Sequence, residues 1–380
     1  MKIAFLTSEY PHLVTGTSGG LGTSIKSLAV SLVNQGHSAR ILVYGQKEEG
    51  LFEDHGVVVQ RIKNIKVKGL SWYLTRKKFE KIINQLYNQQ ELDLVEVADW
   101  TGISSFIQPQ CPLVIRLHGS DTYFCHLDHR PVKWINRFHE KRALQKANGH
   151  ISVSHYTAIM TNQLFGLNKD FTIIPNSIDC SDFISEQKVV ATPPIVLYFG
   201  TLIRKKGLLE LPFIFNKVIE QHPTAQLYLI GRDSSDIISG NASTWTMMLE
   251  LFTPKALVNV TYFGGVSYDE IKKHIQKATV CVFPTFAEAL PLSWLEAMAM
   301  EKAVVASNIG WAQEIIEEGK SGFLVDPKDH QVYADKICTL IEDAELTKQI
   351  GGNARKRIVT VFDVQKVIHQ NIAFYQSIIK

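Results

Sequence analysis

The sequence predicts an α/β protein of two domains, each with a parallel sheet, facing one another across a cleft. Three observations predict it. Apolar runs of strand length alternate with helical apolar spacing from end to end. The alternation begins a second time after a polar stretch holding Pro193-Pro194. Strand–helix–strand order calls for parallel pairing with right-handed crossovers. At 380 residues, 45% apolar and 20% charged, the chain is long enough for two such domains.

The first series opens with the strand Lys2-Ile-Ala-Phe-Leu-Thr7, then a polar loop reaching Gly19-Gly-Leu-Gly22. Ile25, Leu28, Ala29, Leu32 and Val33 predict a helix over about 23–35, stopped by Gly36. Strands follow at 39–44, 94–97, 113–117, 150–153 and 171–174. The stretch 181–194 reads as a linker. The second series has strands at 195–199, 226–230, 260–263, 280–283 and 303–306, with a helix starting at Leu208. The expected domains are 1–190, joined by the apolar-patterned helix 364–380, and 191–363. Ligands belong at the C-terminal ends of such strands.

Net charge is +3 with pI about 8.4, too mild and too dispersed for nucleic-acid binding. Five cysteines (111, 125, 180, 281, 338) are scattered without metal-ligand spacing, which suits a reducing, cytoplasmic setting. The N-terminus turns polar too soon for a signal peptide, and no apolar run is long enough to span a bilayer.

The richest chemistry lies in Phe283-Pro-Thr-Phe-Ala-Glu-Ala-Leu-Pro-Leu-Ser-Trp-Leu-Glu-Ala-Met-Ala-Met300. Glu288 sits in the loop after a strand. Glu296 lies inside the next helix, about 7 Å along its axis from Pro291, the expected first helical residue. Two acids so placed can hold two sets of hydroxyls, with an anion at the helix N-terminus between them. Gly19, Gly20 and Gly22 precede a helix and suit close approach to a phosphate, or a plain tight turn. Gly-x-Gly-x-x-Gly spacing is absent. In Phe199-Gly-Thr-Leu-Ile-Arg-Lys-Lys-Gly207 three cations follow a strand, as a phosphate clamp or a solvated run.

Taken together these segments resemble the family 4 retaining glycosyltransferases, whose GT-B fold is two facing Rossmann-like domains. Gly19-Gly20 with Gly36-His37, Ile173-Ile-Pro-Asn-Ser-Ile-Asp179, Gly200-x-Leu-x-x-x-Lys206-Gly207, the Glu288/Glu296 pair and Gly310-Trp-Ala-Gln-Glu314 carry the resemblance nearly end to end. It implies that Lys206 binds the donor diphosphate. The family's companion arginine position is Thr201 here, and Arg204 is its candidate substitute. Glu288, with the backbone of Ala289, Leu290, Pro291 and Leu292, is implied to hold the transferred sugar, and Glu296 the ribose. Gly19 and Gly20 are implied to close over the phosphates. His118, in Arg116-Leu-His-Gly-Ser-Asp121, matches the active-site histidine. Ser177 stands where the family has glycine, and Glu-Ala-Leu-Pro replaces the commoner Glu-Gly-Phe-Gly.

The activity implied is retaining transfer of a hexose-type sugar from a UDP- or GDP-sugar to a glycan, lipid-linked or small-molecule acceptor, in cell-surface polysaccharide synthesis. No cofactor and no metal is expected, since no Asp-x-Asp motif occurs. Residues 61–81 hold eight Lys and Arg against one acid, with Trp72, Tyr73, Leu74 and Phe79 interleaved. They suggest a peripheral contact with the inner membrane face, alongside the plainer reading of a solvated helix. A sugar-nucleotide epimerase and a non-catalytic subunit of a glycan-assembly complex are the alternatives.

Overall fold

A computed structural model of the chain describes residues 1–16, 18–184 and 192–379. Two compact units result: Met1–Asp179 with Phe362–Lys380, and Cys180–Val361. The boundary expected at 190/191 falls outside the described residues.

The first unit runs β1 (Lys2–Thr7), α1 (Gly20–Asn34), β2 (Ser38–Tyr44), β3 (Gly50–Asp54), β4 (Val57–Ile62), α2 (Ser71–Asn88), β5 (Leu94–Ala98), β6 (Leu113–Leu117), α3 (Asp121–Leu127), α4 (Trp134–Lys146), β7 (Gly149–Ser152), α5 (His155–Phe165) and β8 (Thr172–Ile173). Its sheet has the order β3-β4-β2-β1-β5-β6-β7-β8 and is parallel except where β3 meets β4. Leu94, Val95, Val97, Val114 and Ile115 are buried, as central parallel strands covered on both faces must be.

Glu96 and Arg116 interrupt that apolar run and satisfy each other. Arg116 donates to both Glu96 carboxylate oxygens at 2.7 and 3.0 Å. The final helix of the chain, Val364–Ile379, returns to this unit. Its Val367, Ile368 and Tyr375 share a core with Ile3, Phe5 and Leu28. Its Tyr375 hydroxyl donates to Glu96 at 2.7 Å, while Arg116 donates to Asn371 at 2.5 Å.

The second unit runs β9 (Ile195–Phe199), α6 (Leu211–Gln221), β10 (Gln226–Ile230), α7 (Thr244–Leu249), α8 (Pro254–Leu257), β11 (Val260–Tyr262), α9 (Tyr268–Lys277), β12 (Val280–Phe283), α10 (Leu292–Ala299), β13 (Ala303–Ser307), α11 (Ala312–Ile315), β14 (Phe323–Val325), α12 (His330–Glu342) and α13 (Ala344–Arg357). Labelling the final helix α14 completes the series. The parallel sheet has the order β11-β10-β9-β12-β13-β14.

Two boundaries differ from expectation. The helix expected from Leu208 starts at Leu211, because Arg204–Lys206 first forms a 3-10 turn closed by Gly207 at φ 72°. Pro291 is the N-cap of α10 with extended backbone, and the helix begins at Leu292.

Strand order reverses direction around β1 and again around β9, whose neighbours are β10 and β12. In open parallel sheets such reversals leave a crevice at the strands' C-terminal ends. The loops after β9 and β12 carry Lys206 and Glu288.

Candidate active site

In the second unit, backbone bonds bring the two loops together. Phe286 and Ala287 both donate their amides to the Lys205 carbonyl, at 2.9 and 3.1 Å. Gly207 permits this approach: a Cβ there would lie 1.7 Å from the Pro284 carbonyl oxygen, and its φ is left-handed. The result is an ion pair of 2.9 Å between Lys206 Nζ and Glu288 Oε1, with 21% and 18% of the side chains exposed.

Burial pulls the Lys206 ammonium down, but the Glu288 carboxylate outweighs it and holds the lysine above its usual range. Burial likewise pushes Glu288 up, and the charges of Lys206 and Lys205 bring it below the usual glutamate value. Each partner therefore keeps the other ionised. Glu288 to Leu292 then lead into α10 from its positive end, with Ala289 and Leu290 buried and Pro291 as cap.

Glu296, 7% exposed, lies within α10. Its Oε1 accepts a 2.6 Å bond from the Tyr268 hydroxyl. Burial raises its pKa; the Tyr268 hydrogen bond and the charges of Lys206 and Lys272 oppose the rise only in part. Lys206, Glu288, Pro291 and Glu296 thus form one continuous array.

Arg204 points elsewhere. Its Nε and Nη2 donate to both oxygens of the buried Asp236 at 2.8 and 2.6 Å. The guanidinium, with the Ser239 hydroxyl, holds Asp236 well below the usual carboxylate range. A bidentate pair of this kind fixes the loop after β10 against the 3-10 turn.

In the first unit His118 immediately follows β6. Its amide donates to Asp99 Oδ1 at 2.9 Å. Burial, then the charge of Arg116, lowers its imidazole to about 3, so it is neutral at physiological pH. Burial, with a smaller push from Glu140, raises Asp99 to about 7. His118 borders a small recess together with Ser24, Glu96, Arg116, Asn176 and Asn371.

Gly19 caps α1, and Gly20 is its first residue. The amides of Gly19 and Gly22 donate to the two oxygens of Glu9, at 2.9 and 3.1 Å. An internal carboxylate thus occupies two of the three glycine amides expected to approach a phosphate. Gly22 is tightly surrounded: a Cβ would lie 3.0 Å from the Glu9 carbonyl oxygen and would force the Ser18 hydroxyl, 2.1 Å away, to turn aside.

The 61–81 stretch needs a correction. Phe79 is wholly buried and Arg76 nearly so, because Thr75, Phe79, Ile83 and Leu86 form the inward stripe of α2. Arg76 donates to the carbonyls of Ile103 and Gly102. Lys77 pairs with Glu80, and Lys78 with Glu49. Lys63, Lys66, Lys68, Leu70, Trp72 and Lys81 are exposed.

Sequence reasoning missed Tyr268, Glu9, Asp99 and Asp236. Only Tyr268 carried a local signal, since Ser267 and Glu270 form a capping box that marks the start of α9. Among the described residues no group of three or more His, Cys, Asp and Glu is placed to hold a metal ion. Nor is any helix of these residues long and apolar enough to cross a membrane.

Comparison with known proteins agrees with this geometry. Residues 181–357 match the model of "Glycosyl transferases group 1", and residues 18–182 that of "Glycosyltransferase Family 4". An uncharacterised glycosyltransferase of Methanocaldococcus jannaschii is 26% identical over 99% of this chain and 98% of its own. Sucrose-phosphate synthase from Thermosynechococcus elongatus superposes with a TM-score of 0.80 at 20% identity, covering 99% of each chain. Anabaena HepE in complex with UDP-glucose does so at 0.75 and 21% identity, over 99% of this chain and 100% of that one. With matched segments that together take in residues 18–357, and with two parallel-sheet α/β domains of the GT-B type, the chain belongs to the group 1, family 4 glycosyltransferases.

Proposed function

We propose that the protein transfers a hexose from a UDP- or GDP-sugar to a glycan or lipid-linked acceptor, with retention of anomeric configuration and without a divalent metal, in cell-surface polysaccharide synthesis on the cytoplasmic side. The observation that carries this reading is the Lys206–Glu288 pair at the β9/β12 reversal, with Glu296 further along α10. HepE, which shares the fold, has been captured with UDP-glucose, and this supports a nucleotide-sugar donor.

In this reaction the bond between the anomeric carbon and the diphosphate oxygen breaks, and the acceptor oxygen bonds to that carbon on the same face. The acceptor's proton passes to the departing diphosphate. Lys206 and the first-turn amides of α10 supply fixed positive potential where that charge develops. Glu288 exchanges its lysine contact for hydroxyls of the transferred sugar. Glu296 accepts from the ribose. His118, in the first unit, is neutral and offers a hydrogen bond rather than a cationic charge. Arg204 acts indirectly, by holding the 3-10 turn that presents Lys206.

A panel of UDP- and GDP-sugars assayed in EDTA tests this reading. The expected result is a raised melting temperature and slow hydrolysis with one donor. A chain that no nucleotide stabilises would be a non-catalytic member of an assembly.

The exposed Lys63, Lys66, Lys68, Leu70, Trp72 and Lys81 support peripheral membrane contact, since amphipathic aromatic and cationic side chains suit an anionic surface. Replacing Lys66 and Lys68 by Glu is expected to weaken binding to vesicles containing 30% phosphatidylglycerol by at least roughly 30-fold, at about 1 kcal/mol per cation removed. Equal binding to neutral vesicles would refute the contact.

A further inference from the structure

Tyr268 stands outside every role assigned above, yet its hydroxyl holds the most buried carboxylate of the site. It is the first residue of α9, immediately after a capping box in which the Ser267 amide donates to Glu270 at 3.1 Å and the Glu270 amide to Ser267 Oγ at 3.3 Å. That reciprocal pair fixes the start of the helix.

The ring is fixed as well. Tyr268 meets Phe183 edge to face, with centroids 6.1 Å apart. Lys272, one turn along α9, places its ammonium 5.2 Å from the Phe183 ring and 5.3 Å from the Tyr268 ring. Both contacts are attractive geometries. The residue is 42% exposed, yet swinging its hydroxyl away would cost these contacts.

That hydroxyl spans 2.6 Å to Glu296 Oε1. Among the described residues it is the one hydrogen-bond donor that the Glu296 carboxylate has. The carboxylate plane is therefore set by Tyr268, with one oxygen tied and Oε2 left to accept from outside. A buried acceptor held in one orientation rewards a hydroxyl at a single place and penalises its absence, because nothing else satisfies the oxygen.

We propose that Tyr268 is a positioning residue that orients Glu296 for a ribose hydroxyl, making the site selective for ribonucleotide over deoxyribonucleotide donors. The proposal rests on the reading above that Glu296 receives the ribose. It adds that selectivity depends on a residue of another helix, one whose hydroxyl bonds the carboxylate.

The test compares affinities for UDP and GDP with those for their 2′,3′-dideoxy counterparts, by calorimetry, in the unchanged protein, Tyr268→Phe and Glu296→Gln. The unchanged protein is expected to bind one ribonucleotide at least about tenfold more tightly than its dideoxy form, the value of one hydrogen bond to a charged group. Tyr268→Phe keeps the ring contacts, so dideoxy affinity should hold within about twofold while the preference falls below about threefold. A general packing defect would weaken both ligands alike and leave the ratio standing. Glu296→Gln retains Tyr268 and must lose the same preference.

If the unchanged protein discriminates and Tyr268→Phe discriminates equally, the positioning role is wrong and the donor reading stands. If the unchanged protein binds neither nucleotide, the donor reading itself fails; if it binds ribo and dideoxy forms alike, the assignment of Glu296 fails, and the role of Tyr268 with it.

Discussion

Replacing Lys206 with alanine is expected to lower kcat by about 100- to 1,000-fold, the usual consequence of deleting a preorganised group that meets charge developing in the transition state. The loss should fall mainly on kcat, because the positive charge matters most as the diphosphate departs. Steady-state kinetics with the donor found in the panel would check it. Unchanged kcat would mean that Lys206 does not face the leaving group.

The same variant has a signature in stability against pH. Glu288 has a folded pKa below the 4.5 of an ordinary glutamate, so its contribution is complete above about pH 4.5 and fades as pH falls through the lowered value. Lys206 lies above its ordinary 10.5, so its contribution is complete below that pH and fades only as pH rises through the raised value. The pair is therefore whole across the neutral range. In Lys206→Ala the main charge holding Glu288 down is gone and burial remains, so the glutamate takes up its proton at a higher pH. Melting temperatures between pH 3 and 7 should show the unchanged protein losing stability toward the acid end and the variant losing less.

How much of this was legible in the sequence depended on how each feature is encoded. The strands Ile195–Phe199, Gln226–Ile230 and Val280–Phe283 fall where the apolar runs put them, because burial on both faces writes a strand as a continuous run. The β3–β4 hairpin was missed. At the sheet edge its residues alternate between exposed and partly buried, which dilutes the run. The turn carried the better signal: His55 and Gly56 both have positive φ, as a two-residue hairpin turn demands.

The site divides in the same way. Lys206 and Glu288 stand out in the sequence because each sits in a loop whose local sequence is distinctive, and the fold pairs them at 2.9 Å. The Tyr268–Glu296 bond joins residues 28 positions apart through the packing of two helices, and no local pattern announces it. The pairing of Arg204 has no local signal either, for a related reason. Its partner Asp236 lies 32 residues on, in a loop whose course only the folded chain decides. In α2, counting charges obscured a helical period that turns Phe79 and Arg76 inward.

The largest expected loss of stability comes from Arg116. Truncating it to alanine leaves Glu96, 3% exposed, as a buried charge answered only by the Tyr375 hydroxyl. Breaking a buried pair from one side costs about 3–5 kcal/mol, or roughly 6–20 °C in melting temperature for a unit of this size. The pair itself contributes far less than that, since two ions give up hydration to form it. Replacing both together, Glu96→Leu with Arg116→Met, should therefore recover stability to within about 1–2 kcal/mol of the unchanged protein. Thermal melts of the two variants separate the cases, and a double variant as unstable as Arg116→Ala would show that the pair is intrinsically stabilising. Asn371 and Tyr375 give the network a second consequence. They tie α14, the last helix of the chain, to β6, the strand just before His118. Arg116 is also the charge that, after burial, keeps His118 neutral. Its removal relieves the smaller of those two causes, so the imidazole should titrate at a higher pH in the double variant, read by NMR of the ring protons. The double variant would then be nearly as stable as the unchanged protein but altered at its histidine, separating what Arg116 does for the fold from what it does for the site.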